Sequence, residues 1–250
     1  MLPNICIDWG NRYVKIALFH GEEELNMMER WVFSSSEAGE KLEEILQNHQ
    51  PAKGILCSVS RDSREWESLL ENSLKSFIRL DNDTRVPMMN AYSSSETLGA
   101  DRLGLAVAAH SLYPQYNNLV VCLGTCITYN FIQKGKAFRG GAISPGLQMR
   151  LDAMHHFTDQ LPQVSLNGET LLLGYDTETC IRAGAVWGMA SEIDGMIQAY
   201  AAQYNDFNAI LTGGDFPFFE GRLKSKIFAD PDLLLKGLQL ILNYNVPTKY

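Results

Sequence analysis

Apolar and polar positions along the chain fall into one arrangement that occurs twice. Ile5-Cys6-Ile7-Asp8-Trp9-Gly10-Asn11 leads into the alternating stretch Val14 to Phe19, and Leu119-Val120-Val121-Cys122-Leu123-Gly124-Thr125 leads into Ile127 to Ile132. Each copy predicts a β-hairpin: a buried strand, a tight turn whose glycine permits close backbone approach, and a second strand reaching a further turn at Gly21 or Gly135. Two ordinary hairpins of an α/β protein give the same pattern, but the repetition favours a chain made of two similar halves.

Between the copies the pattern alternates. Trp31-Val32-Phe33 reads as a third strand, and Glu40 to Asn48 as a helix with Leu42, Ile45 and Leu46 on one face. Ile55 to Val59 reads as a strand. A second helix is expected near Asp62, whose side chain can cap it, with Trp66, Leu69, Leu70 and Leu74 inward. Thr84 to Gly99 reads as a loop, followed by a helix from Asp101 to Leu112 that Pro114 closes. Strands alternating with helices predict a twisted sheet covered by helices. Gln115 to Asn118 reads as a polar hinge, so the expected domains are residues 1–116 and 117–250. The second half repeats the order: a hairpin continuing through Gly140-Gly141 to Ile143, a helix from Pro145-Gly146 to Phe157, and a long helix from Thr177 to Tyr204. Ala209 to Thr212 reads as a core strand ending at Gly213-Gly214-Asp215. Asp232 to Asn243 reads as a helix whose broad apolar face packs on the sheet or on a partner chain.

Composition narrows the function classes. A net charge of −8 and no basic run argue against nucleic acid, whose binding is driven largely by Lys and Arg displacing counterions. The 250 residues, 46% hydrophobic, suit a globular enzyme. Cys6, Cys57, Cys122, Cys126 and Cys180 are scattered, without a CxxC pair, and read as buried thiols in a reducing compartment. No stretch reads as a signal peptide or a membrane span, so the expected location is the cytoplasm.

Facing turns of this kind would clamp phosphate, because exposed turn N–H groups bind anions, and a turn carboxylate such as Asp8 can hold the Mg²⁺ that travels with a nucleotide. An Asp at a strand end is equally a turn former.

Two halves that each open on strand, glycine turn and strand resemble the acetate and sugar kinase, heat-shock chaperone and actin superfamily. Within it the chain resembles the type III pantothenate kinases. The residues that carry the resemblance are Asp8-Trp9-Gly10-Asn11 with Lys15, Gly99-Ala100-Asp101-Arg102, and Leu123-Gly124-Thr125 with Thr128. Gly140 to Gly146, Thr158 with Leu161-Pro162, Thr177 before Gly184, and Thr212-Gly213-Gly214 follow in the family's order.

The resemblance implies an α/β fold of two ribonuclease-H-like (actin-like ATPase) halves, each a mixed twisted sheet flanked by helices, with ATP in the cleft between them. It implies phosphorylation of pantothenate to 4′-phosphopantothenate, the first step of coenzyme A biosynthesis, by a homodimer. The first phosphate loop would be Asp8, Trp9, Gly10, Asn11, Arg12, Tyr13, Val14 and Lys15, with Asp8 holding Mg²⁺ through water and Lys15 facing phosphate charge. Asp101 would be the general base; its other reading is a helix cap paired with Arg102. Arg102, with the amides of Gly99 and Ala100, would bind pantothenate together with Tyr92, which alone reads as a surface anchor. Thr125 would contact ATP phosphate, although β propensity also explains it. Thr177 would contact substrate or act as the long helix's N-cap, or both, and Gly213-Gly214 would pass the adenosine end or simply turn the chain.

The second hairpin departs from the family pattern. Where the family carries an aspartate associated with a monovalent cation, K⁺ or NH₄⁺, this chain has Cys122, and a second aspartate position holds Asn130. A neutral thiol is a poor ligand for a hard cation, so little dependence on K⁺ is expected. Arg12 stands where a hydroxyl is usual and adds positive charge. Two other readings follow: a nucleotide-binding regulatory protein without turnover, which the altered hairpin would suit, and a kinase for a sugar or another small hydroxylated acid.

Overall fold

The computed structural model describes residues 2–21, 25–58, 63–135 and 137–246. The chain divides into two compact units, one of residues 1–114, 136–139 and 232–250, the other of residues 115–135 and 140–231.

The first unit is built on β1 (Asn4–Trp9), β2 (Tyr13–Phe19), β3 (Met27–Ser34), β4 (Lys53–Ser58) and β5 (Ser76–Arg79), in the order β3-β2-β1-β4-β5. β1 and β2 form the expected hairpin, and β4 and β5 continue the sheet in parallel. Strand periodicity sorts the side chains. Ile5, Ile7, Trp9, Val14, Ile16 and Leu18 point to one face, where they pack against Leu42 and Ile45 of α1 (Ala38–His49) and Leu70 of α2 (Arg64–Ser73). Trp9 stacks on Trp66 with ring centroids 5.9 Å apart, which adds about 0.5–1.5 kcal/mol to the burial of both rings. Val59 and Asp62, expected to end the strand and cap the second helix, lie outside the described residues; α2 has Ser63 at its N-cap.

The opposite face carries Asn4, Cys6 and Asp8 and is covered by α3 (Ala100–Leu112) and α7 (Leu233–Asn245). Asn4 Nδ2 donates to Gln239 Oε1 and to Asn243 Oδ1, each at 3.3 Å, so α7 is tied to β1 by polar as well as apolar contacts. α3 and α7 cross where Gly104 meets Gly237: a methyl group on Gly237 would overlap the Gly104 carbonyl. Of the two positions left open for the terminal helix, the structure shows the one on the sheet. The expected boundary at 116/117 assigned that helix to the second half, and its packing on β1, β4 and α3 gathers it instead with the first. The short β6 (Met89–Asn90) pairs in parallel with Ala137 and Phe138, which also belong to this unit.

The second unit repeats the order. β7 (Asn117–Leu123) and β8 (Cys126–Ile132) form the hairpin, β9 (Ala137–Pro145) lies beside β8, and β10 (Phe207–Thr212) and β11 (Phe228–Ala229) extend the other side in parallel. The sequence β9-β8-β7-β10-β11 is thus the same path as β3-β2-β1-β4-β5. Its core joins Leu119, Val121 and Leu123 to Leu151 of α4 (Leu147–His156) and to Ile181, Met189 and Ile193 of α5 (Thr177–Gln203). The short α6 (Phe216–Phe219) contributes Phe219. Among the described residues no helix is long and apolar enough to cross a membrane. None of the five cysteines is in a disulfide; Cys6 and Cys57 are buried as expected, whereas Cys180 near the start of α5 is exposed.

Candidate active site

Three side chains lie in a row across the first sheet. Asp8, at the end of β1, stands opposite Lys15 on β2 and beside Cys57 on β4, and strand alternation turns it toward the face covered by α3. Asp101, in the first turn of α3, is close enough for its charge to be felt at Asp8. Burial pushes the Asp8 carboxyl up to about 6; Lys15 opposes the rise and Asp101 adds to it. Burial raises Asp101 as well, against the opposing pull of the Arg102 amide, the Arg102 charge and its own amide. Cys57 is held well above the usual thiol range by burial and then by Asp8 and Asp101, so it is a neutral neighbour.

The turn after β1 is formed by Gly10, whose N–H donates to Tyr13 O at 3.1 Å. Asn11, Arg12 and Tyr13 are exposed, and the Ser35 amide donates to Arg12 O at 3.1 Å, which fixes the turn from below. Trp9 and Val14 were expected to bind ATP, but their side chains are core residues. Only their backbones are left for a ligand, because the strand period that turns Asp8 to one face turns them to the other.

The Gly99-to-Arg102 motif packs around a cation. Arg102 is buried, and its Cζ lies 5.5 Å from the Tyr92 ring centroid and 5.6 Å from that of Phe138. The two rings stack at 5.9 Å. Asn90 Oδ1 accepts the Tyr92 amide at 3.1 Å and holds the loop in place. Gly99 is the N-cap of α3, with Ala100 its first residue. Sequence reasoning missed Phe138; an aromatic residue in an alternating strand reads as plain core.

In the second unit the hairpin turn is gripped from two sides. Gly124 N–H donates to Cys126 O at 3.1 Å, and Gly146 N–H donates to Thr125 O at 3.1 Å. A methyl group on Gly146 would overlap Gly124 O and come within 2.5 Å of Thr125 O. On the other side the Asp215 amide donates to Leu123 O at 3.1 Å, while Gly213, at φ +106°, presses on Leu123. Thr125 itself is exposed. Cys122 is half-buried, opposite Thr128 and beside Thr212. Asn130 is fully buried, with Nδ2 donating to Thr128 Oγ1 at 3.0 Å and Val120 O at 3.3 Å. Thr177 is the exposed first residue of α5; the N-cap is Asp176, which accepts Thr179 N at 2.8 Å while Thr179 Oγ1 takes the Asp176 amide, a reciprocal capping box. The first unit therefore gathers Asp8, Lys15, Tyr92, Gly99, Ala100, Asp101 and Arg102, and the second holds Cys122, Thr125 and Thr177.

The sequence model of the family described as type III pantothenate kinase matches residues 4–199. The chain belongs to the type III pantothenate kinases. It is 43% identical over 243 residues to the type III pantothenate kinase of Phocaeicola vulgatus, covering 97% of this chain and 98% of that one. It is 40% identical to that of Cytophaga hutchinsonii, covering 97% and 100%. Solved structures show the same fold at low identity. An inorganic polyphosphate/ATP-glucomannokinase from Arthrobacter matches with a TM-score of 0.54 at 16% identity, over 98% of this chain and 100% of that one. A Campylobacter jejuni protein described as a Baf family transcriptional activator matches with a TM-score of 0.58 at 20% identity, over 96% and 98%. Membership makes this protein an ATP-dependent kinase of pantothenate and decides for turnover over the regulatory reading.

A type III pantothenate kinase uses a divalent metal with its ATP, and the donor set of the first unit suits one. Mg²⁺ keeps several waters and takes one or two protein carboxylates alongside substrate phosphate. Asp8, half-buried beside Lys15 and within the field of Asp101, is a hard anionic oxygen donor of that kind.

Proposed function

We propose that the first unit carries the chemistry of this pantothenate kinase on two carboxylates. Asp101 is the general base: it takes the proton of pantothenate's primary hydroxyl as the oxygen bonds to the γ-phosphorus and the bond to the leaving ADP breaks. Asp8 holds, through water, the Mg²⁺ that neutralises phosphate charge. Lys15 and Arg12 add fixed positive charge along the same loop, and the amides of Asn11 and Arg12 face the phosphates, the Gly10 amide being spent inside the turn. The observation that carries this reading is the juxtaposition of Asp8 and Asp101 on one face of one sheet, each held above its ordinary pKa by burial.

Arg102, Tyr92 and the helix-start amides of Gly99 and Ala100 hold pantothenate, Arg102 meeting its carboxylate. In the second unit Thr125 donates its hydroxyl to an ATP phosphate, and Thr177 touches substrate. With Cys122 and Asn130 at the two altered positions, the reaction proceeds with little dependence on K⁺ or NH₄⁺. The protein works in the cytoplasm as a homodimer, a state favoured by exposed apolar side chains of the second unit: Phe157 (80% exposed), Leu172 (74%), Leu173 (84%) and Tyr175 (72%).

One assay tests the whole. Purified protein with ATP, Mg²⁺ and pantothenate should release ADP in step with 4′-phosphopantothenate, and Asp101→Asn should abolish both. ADP release unaffected by that substitution would remove Asp101 as the base.

A further inference from the structure

The second unit contains a polar cluster that the steps above leave unused. Glu192, on α5, accepts hydrogen bonds from three other elements. Tyr129 Oη on β8 donates to Oε1 at 2.9 Å, Ser144 Oγ near the end of β9 donates to Oε2 at 3.2 Å, and Arg150 on α4 forms an ion pair with Oε2. Burial alone would raise the Glu192 pKa, but the bonds from Arg150, Tyr129 and Ser144 hold it below the usual value. The carboxylate is thus charged and fully engaged.

Arg150 carries the connection toward the hairpin turn. Its Nε donates to Pro145 O at 2.8 Å and its Nη2 to Ser144 Oγ at 3.1 Å, while its amide closes the first turn of α4 on Gly146 O at 3.0 Å. Gly146 is the residue whose N–H binds Thr125 O and whose Cα fits against the Gly124 and Thr125 carbonyls with no room for a methyl group. Ser144, Pro145 and Gly146 are therefore held between the Glu192–Arg150 pair on one side and the Gly124-Thr125 turn on the other. Movement of that segment is passed directly to the turn, because close-packed backbone has no slack to absorb it.

We propose that Glu192 is a positioning residue for the phosphate step: acting through Arg150 and Ser144, it fixes the segment that sets the Gly124-Thr125 turn. This rests on the reading of that turn as an ATP phosphate contact. Hydrogen bonds to a phosphate depend on placement to within a fraction of an ångström, so loosening the segment costs ATP affinity more than overall fold.

The test is steady-state kinetics with both substrates varied. Glu192→Gln keeps the shape and the Tyr129 bond but loses the charge that holds Arg150, and should raise KM for ATP about tenfold with KM for pantothenate within about twofold. Arg150→Lys, which retains the charge, should fall between the two. Glu192→Gln combined with Arg150→Gln should be no worse than Glu192→Gln alone, the signature of residues acting as one unit. A folded Glu192→Gln with unchanged KM for ATP overturns the proposal, as does an equal rise in both KM values. If Glu192→Gln fails to fold, Arg150→Gln against Arg150→Lys decides on the same criterion. Thr125→Ala separates the two claims: an unchanged KM for ATP there removes the reading of the turn, whereas a raised one beside an unaffected Glu192→Gln leaves the turn and removes the positioning role.

Discussion

The carboxylate of Asp101 folds back over Gly99: a methyl group on Gly99 would stand 2.5 Å from Asp101 Oδ1. The backbone there, φ −60° and ψ 130°, is open to any residue, so the glycine serves the carboxylate and not the turn. Gly99→Ala should accordingly leave the unfolding temperature within a few degrees of wild type and lower kcat about tenfold or more, by moving the base away from the acceptor oxygen. A variant with wild-type kcat would show that the carboxylate has another acceptable place.

Asp101→Asn keeps the shape and removes the basicity. Turnover should fall by roughly two or more orders of magnitude, the range of general-base catalysis, with the circular dichroism spectrum unchanged. Stopped-flow or coupled measurement of kcat at saturating ATP and pantothenate checks it.

Asp8 should trade stability for function. In the protein free of metal and nucleotide its carboxyl holds a proton up to about pH 6, whereas the unfolded chain releases it near 3.8. The folded state is thus favoured where both forms are protonated and loses that advantage as pH rises from 3.8 to about 6, leaving an ionised, buried carboxylate at a net cost of ~1–3 kcal/mol above it. Asp8→Asn should therefore be more stable than wild type at pH 8 in EDTA, with the difference vanishing toward pH 4. Its activity should be poor and respond weakly to added Mg²⁺. Thermal unfolding at both pH values measures the first effect, and a Mg²⁺ titration of the rate measures the second. Equal Mg²⁺ responses in variant and wild type would take the metal away from Asp8.

The cation expectation turns on Cys122, half-buried between Thr128 and Thr212, and on Asn130, whose amide nitrogen is committed to Thr128 and Val120. Neither supplies an anionic oxygen. Replacing K⁺ by a bulky organic cation at constant ionic strength should leave the rate within about twofold. Cys122→Asp should introduce a response to K⁺. A steep loss of wild-type activity on withdrawing K⁺ would mean that other oxygens complete the site.

The two hairpins were legible because each pairs two strands of six or seven mostly apolar residues across a glycine turn, long enough to stand out from their surroundings. β6 and β11 have two residues each and β5 has four, too few for any period, and none was foreseen. The ligand roles expected of Trp9 and Val14 ignored strand alternation, which sends every second side chain of a turn-flanking strand into the core. Phe138 stayed hidden because its partner Tyr92 is distant in sequence and meets it only through the pairing of β6 with β9. Asp176 was overlooked as the cap of α5 because its partner is Thr179, not the Glu or Gln that marks the usual capping box. Asp8 and Asp101 could each be named from the chain. Their proximity could not, since it depends on which face of β1 receives α3.

The placement of α7 has a consequence for how the protein is made. The face of β1 that bears Asp8 is covered by a helix translated only after the whole of β7 to β11. On the ribosome, Asn4 and Cys6 wait for Gln239 and Asn243 while the second unit's strands emerge and pair among themselves. The half of the molecule that begins first is the half that finishes last, so a nascent chain stopped short of residue 232 would leave the part of that sheet face that α7 covers open to chaperones and proteases, with α3 alone in place.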